Sequence, residues 1–174
     1  MAILVDGGVD LIRVDVIARQ LKLTRGSFYW HFKDRDALLS EVLKAWRQAA
    51  TEQVTERFSR DNQDPRALIR DLLSLPFRGR SAQRAARIEL AIRDWARRDA
   101  MARQAVDEAD ATRIDYIARC FCALGFGSSE ARHRAGVLYA YELGESLLVN
   151  QGSATHQRER SALLERLLLE PPPR

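Results

Sequence analysis

Apolar residues along this 174-residue chain recur at intervals of three and four, and strict alternation at two is nearly absent. That spacing keeps one face of a helix apolar, so the pattern predicts an all-α protein. No Val/Ile/Thr/Tyr run bounded by Asn-Gly or Asp-Gly marks a hairpin. After a stub ending at Gly7-Gly8, a helix is expected from Val14 to Lys22, with Val14, Ile17, Ala18 and Leu21 on one face. Thr24 caps a second helix of about two turns, Arg25 to His31, and Asp34 caps a long third one through Leu39, Leu43, Trp46, Val54 and Phe58. A polar linker, Ser59 to Asp64, leads to the Asp64-Pro65 cap of a helix that Pro76 ends, and Arg78 to Ser81 is expected as a loop. Helices then follow over Ala82 to Arg98, from before Val106 to Leu124, from a Ser128 or Ser129 cap to about Asn150, and through Leu163 to Leu169. Gly125-Phe126-Gly127 stops the second of these, and Pro171 to Pro173 is a tail.

Composition supports a packed core, with 46% hydrophobic and 30% charged residues. Net charge is only +4, but its distribution is uneven: Arg19, Lys22, Arg25, Lys33 and Arg35 face a single acid, Asp34, within one short stretch. That stretch is the expected anion-binding surface. Cys120 and Cys122 lie two apart on a helix, roughly 200° around its axis, so they cannot share a metal. Without a disulfide framework, a secretory segment or an apolar run of about 18 residues, a cytoplasmic protein with no membrane contact is expected.

Two helices joined by a tight turn, the second short and basic, form the geometry of a helix-turn-helix. Phe28 and Phe32 are expected to anchor the second helix inward. Arg25, Ser27, Tyr29 and His31 are left facing out, as donors for phosphate oxygens and, at Arg25, a fork for a guanine edge. Lys22 falls where many such turns carry glycine, which predicts a positive φ and strain of about 1 kcal/mol.

The run Ile17-Ala18, then Leu21 through Phe32 by way of Thr24-Arg25-Gly26-Ser27-Phe28-Tyr29-Trp30-His31, followed by Asp34 and Asp36-Ala37-Leu38-Leu39, resembles the TetR family of transcriptional regulators in its AcrR-like form. The likeness is dense over about Val14 to Leu43; beyond it only the architecture matches. It implies DNA contacts from Thr24, Arg25, Gly26, Ser27, Tyr29 and His31, packing of Trp30 on phosphate and sugar, and backbone contacts from Lys33 and Arg35. It also implies a first helix of which Met1 to Asp6 keeps only the last turn, with Arg13 in place of the usual Ser or Thr cap.

The rest of the chain offers broader expectations: a head over residues 1–46 and a ligand-binding and dimerisation body over 47–174. Trp95, Tyr116, Phe121 and Tyr139 are aromatics at helical spacing, read as core or as the wall of a pocket for a small apolar effector. Gly136, Ala140 and Gly144 form a row of small side chains, and Leu163, Leu164, Leu167 and Leu168 exceed what a terminal helix needs, so a homodimeric four-helix interface is expected. The pairs Glu89 with Arg93 and Asp94 with Arg98 read as solvated helix pairs, and Glu142 and Glu145 as solvated or interface carboxylates. His133 and His156 lack ligands at metal spacing, so no metal or cofactor is expected. Nucleophile motifs and glycine-rich phosphate loops are absent, which argues against an enzyme. The leading expectation is a ligand-responsive homodimeric repressor on palindromic double-stranded operator DNA. The alternative is a small-molecule sensor or partner-binding protein whose shortened head no longer holds DNA.

Overall fold

In the computed structural model, residues 1–52, 64–148 and 150–170 are described, and they form helices with no strand among them. Val54, Phe58, the linker residues before Asp64 and Pro171 to Pro173 lie outside the described residues. Nine α-helices are present among the described residues: α1 (Ala2–Gly7), α2 (Val14–Leu21), α3 (Arg25–His31), α4 (Arg35–Arg47), α5 (Pro65–Ser74), α6 (Gly79–Ala96), α7 (Ala100–Ala123), α8 (Ser128–Leu147) and α9 (Ala154–Leu169). None is long and apolar enough to cross a membrane.

Local chemistry explains most boundaries. The side chains of Thr24, Asp34, Asp64, Asp99 and Ser153 each accept a backbone N–H at the start of their helices. Gly125, at φ +94°, follows the end of α7. The stub before Gly7-Gly8 is helical, as the resemblance implies for Met1 to Asp6, with Leu4 fully buried. Two expectations need correction. Arg78 to Ser81 is not a loop: after the 3-10 turn Leu75–Phe77, Gly79 adopts φ +71° and α6 begins there. Neither Ser128 nor Ser129 caps α8, whose cap is Gly127 without a side-chain bond.

The third helix also departs from its expected course. Regular α-helix stops at Arg47, and Gln48–Glu52 form a π turn. In that wider turn the Ala50 carbonyl and the Thr51 hydroxyl are taken up by Arg113 of α7.

Two clusters make up the core. One joins α1, α4, α6 and α7 through Leu4, Leu39, Leu43, Trp46, Ile92 and Trp95. The other joins α5, α7, α8 and α9 through Ile69, Leu73, Phe121, Leu138, Leu168 and Leu169. Ala131 and Ala135, fully buried in the second cluster, form the close seam of α8 with α7. Because Leu39, Leu43 and Trp46 of the head pack against Ile92 and Trp95 of the body, the apolar core runs across residue 46 without a break.

Lys22 adopts φ 54°, ψ 39°, the left-handed conformation expected from the turn, and lets Leu23 N–H reach the Ala18 carbonyl at 2.8 Å. Relieving the Cβ strain there should stabilise the fold, so Lys22→Gly is expected to raise the unfolding free energy by about 1 kcal/mol. Urea denaturation of the two proteins measures it; a less stable variant contradicts the assigned turn.

Candidate nucleic-acid interface and the buried node behind it

Phe28 is the one buried residue of α3, and it meets Tyr29 and Phe32 with ring centroids 5.3 and 5.5 Å away. With Phe28 fixed inward, the rest of the helix is turned to solvent. Tyr29 is 58% and Trp30 83% exposed, and Arg25, Gly26, His31 and Lys33 are exposed beside them. Thr24 Oγ1 accepts Ser27 N–H at 3.2 Å and lies 3.0 Å from Ser27 Oγ, which fixes the start of the helix. Leu21 and Leu23, expected at the turn, are also exposed. Large apolar side chains left in water among basic ones mark a surface with an anionic, partly apolar partner.

Arg35 is placed differently from the other expected DNA residues. Its Nε donates to the Ile12 carbonyl at 2.6 Å and its Nη2 to the Val9 carbonyl at 2.8 Å. They belong to the first residue of the short 3-10 turn Val9–Leu11, whose carbonyl also accepts Ile12 N–H, and to the residue after the turn, so Arg35 ties the entry of α2 to the start of α4. Arg13, the cap residue of α2, makes no side-chain capping bond and pairs instead with Asp15 at 3.5 Å.

Behind the head lies a buried polar node. Arg113 Nη1 and Nη2 donate to the two carboxylate oxygens of Glu89 at 3.1 and 3.2 Å. Its Nε donates to Thr51 Oγ1 at 3.2 Å and its Nη2 to the Ala50 carbonyl at 3.2 Å. Arg93 grips Asp110 with two bonds, 3.0 and 2.5 Å, and also donates to Glu89 Oε1. Both arginines donate to the Tyr139 hydroxyl at 2.9 Å, which in turn donates to Asp110 Oδ1 at 2.6 Å. Burial works against the charge of Arg113, yet Glu89 and Tyr139 more than offset it and hold the guanidinium above its ordinary range; Arg93 is held up in the same way by Asp110 and Glu89. Burial also pushes the Tyr139 hydroxyl up, with its bond to Asp110 adding to the effect against the opposing pull of Arg113.

The pair Glu89–Arg93, expected in solvent, is therefore part of the interior, whereas Asp94–Arg98 is exposed as expected. Sequence reasoning missed Arg113 and Asp110. A signal was present: Val106, Asp110, Arg113 and Ile117 follow at four, three and four, so two charges occupy an otherwise apolar stripe. Glu145 is likewise buried, with Arg160 donating to both its oxygens at 2.8 and 2.9 Å. Glu142 is half-buried, but its Oε1 is shielded from solvent and accepts no hydrogen bond among the described residues.

The four aromatics expected around a ligand do not share one wall. Trp95 belongs to the cluster under the head, whereas Tyr116, Phe121 and Tyr139 belong to the other. On the outer side of α8, Gly136 is half-buried and Ala140 and Gly144 are exposed; a Cβ added at either glycine meets nothing within 4 Å. Val137 and Leu147 of α8 and Leu163 and Leu167 of α9 are exposed too. Leu164 is half-buried, and Leu168, expected at an interface, is instead in the core, because it lies one position round the helix from Leu167. Among the described residues no group of three His, Cys, Asp or Glu is placed to hold a metal ion, and Cys120 is buried while Cys122 is exposed.

A short aromatic and basic helix, capped at a left-handed turn and carried on an all-helical body, is the architecture of a helix-turn-helix head. Residues 1–42 match the family model of bacterial regulatory proteins, tetR family. Over 160 residues the chain is 28% identical to the tetracycline repressor protein class C of Escherichia coli, an alignment covering 92% of this chain and 66% of that protein. Over 66 residues it is 33% identical to the HTH-type transcriptional regulator AcrR of Shigella flexneri, covering 38% of this chain and 31% of that one. The chain thus spans just under two thirds of the first relative and about a third of the second. Its first 42 residues match the tetR family model, and the chain is similar over most of its length to a tetracycline repressor.

Two outcomes follow from the interior charges. Replacing Arg113 by Met leaves the buried Glu89 with Arg93 as its remaining cation and is expected to cost about 1.5–3 kcal/mol in unfolding free energy, measured by denaturant titration. Burial pushes the Glu142 carboxyl up to about 8 from its ordinary 4.5, against the pull of Arg113. Between those values the folded protein keeps a proton that the unfolded chain has released, so stability falls as pH rises, by up to about 1.4 kcal/mol per pH unit. Thermal unfolding from pH 5 to 8.5 should show this decline in the wild type and a flatter profile in Glu142→Gln; parallel profiles would refute it.

Proposed function

We propose that this chain is a ligand-responsive transcriptional repressor that binds palindromic operator DNA as a homodimer, with α3 in the major groove. The observation that carries this reading is the outward face of α3, where Tyr29 and Trp30 stand exposed among Arg25, His31 and Lys33. Arg25 reads a base edge, with guanine O6 and N7 as the matching acceptors. Thr24, Ser27, Tyr29, His31 and Lys33 take phosphate oxygens, Gly26 lets the backbone come close, and Trp30 lies against sugar and phosphate. Arg35 serves the same surface from behind, by fixing the approach of α2 to α4.

The uncovered face of α8 and α9, with its small residues and exposed Leu163 and Leu167, forms the dimer contact, and a two-fold dimer requires a two-fold operator. A small apolar effector acts on the body. It lowers operator occupancy by its preference for the conformation in which the two heads no longer match the half-sites. Arg113, which reaches the π turn at the end of α4 from within the body, is the contact through which such a change passes to the head. No catalytic step is required.

Fluorescence anisotropy with duplex DNA from upstream of the protein's own gene tests the reading. Affinity should fall steeply with salt, and Lys33→Ala should lower the slope of log K against log salt by about 2 per dimer, one phosphate per head. Arg25→Ala should weaken binding at least about tenfold and narrow the margin over random DNA. Salt-independent binding, or none, would count against the proposal.

A further inference from the structure

A cleft of about 460 Å³ separates α1 of the head from α6 of the body. Ala2, Val5 and Ile88 give it an apolar floor, and Arg80, Arg84 and Arg87 line its rim. These arginines are spaced four and three apart, so they share one face of α6. Like charges at that spacing repel, and nothing nearby neutralises two of them: Arg80 and Arg84 meet no carboxylate within ion-pair distance among the described residues. Arg87 faces Asp6 of α1 across the cleft at 3.6 Å.

We propose that this cleft is a second ligand site, which takes a small organic anion: a carboxylate held by Arg84, Arg80 and Arg87, with a short apolar tail on Ala2, Val5 and Ile88. A DNA backbone fits it less well, because the site is concave and its floor is apolar. The bound carboxylate exchanges the Arg87–Asp6 pair for its own, and so removes the ion pair that ties α1 to α6; Asp10 with Arg98, just past the end of α6, is untouched at 3.7 Å. An anion at this seam therefore bears on how the head sits, apart from any effector in the body.

Isothermal titration calorimetry of the full chain without DNA tests this, with octanoate, octylammonium and sulfate as probes. One octanoate per chain should bind saturably, whereas octylammonium should not bind and sulfate should bind more weakly for want of a tail. Arg84→Gln, an exposed change checked for unaltered helicity by circular dichroism, should weaken octanoate at least about tenfold, the usual worth of a charge-assisted bond. Asp6→Asn, which removes the internal competitor, should tighten it. The proposal is overturned by absence of saturable octanoate binding, by equal binding of sulfate or octylammonium, or by binding that Arg84→Gln and Arg80→Gln leave unchanged. It is also overturned if those variants lower the salt slope of DNA binding while octanoate does not bind, since the arginine row then serves the DNA backbone. The calorimetric readings are made without DNA and do not depend on whether α3 binds an operator.

Discussion

Arg113 sits where the two halves of the molecule meet and is bonded to both. One guanidinium joins Glu89 of α6, Tyr139 of α8 and the backbone of the π turn Gln48–Glu52 that follows α4. Shielding a cation from water is unfavourable unless its N–H groups are matched, and here the matching groups come from three different elements. Each of those elements is thereby held to one position relative to the others. Apolar packing alone does not give that uniqueness, because Leu and Ile side chains tolerate small slides. The polar node selects one packing of an otherwise permissive helical body.

The head inherits its orientation from this constraint. Trp46, one turn before the Arg113 contact, lies under the Arg113 guanidinium at 5.7 Å and belongs to the same cluster as Leu4, Ile92 and Trp95. From α4 the position passes to Arg35, which holds the Val9 and Ile12 carbonyls, and thence to α2. The recognition helix itself is held by little more than Phe28, the Thr24 cap and the left-handed Lys22. A thinly packed α3 on a firmly oriented α4 suits the proposed reading of DNA, since its outward side chains can adapt locally while α4 fixes where the helix stands.

How much of this could be read from the sequence depended on range. Caps at Thr24, Asp34 and Asp64-Pro65, the stop at Gly125 and the strained turn at Lys22 are local devices, and each was legible because the residues that interact are neighbours in the chain. Glu89 and Arg93 were misread for the same reason. Four apart on a helix, they look like a solvated pair, and only the fold brings Arg113 and Asp110 alongside them. Arg35 resembled a phosphate contact because it lies in a basic run, while the carbonyls it serves are 23 and 26 residues away. Leu167 and Leu168 looked equivalent, yet one position of helical rotation separates an exposed residue from a core one. The four aromatics shared a periodicity without sharing a place, since helical spacing fixes the face of a residue and leaves its neighbours on other helices open.

DNA recognition by a symmetric pair of α3 helices is the central claim, and selection from a random duplex library tests it most directly. The protein is incubated with the pool, bound DNA is recovered and amplified, and the enriched sequences are read. The account predicts an inverted repeat whose half-sites lie about one helical turn apart, or a multiple of it, with Arg25→Ala losing preference at one base pair in each half. An unenriched pool, or a site without two-fold symmetry, would contradict it.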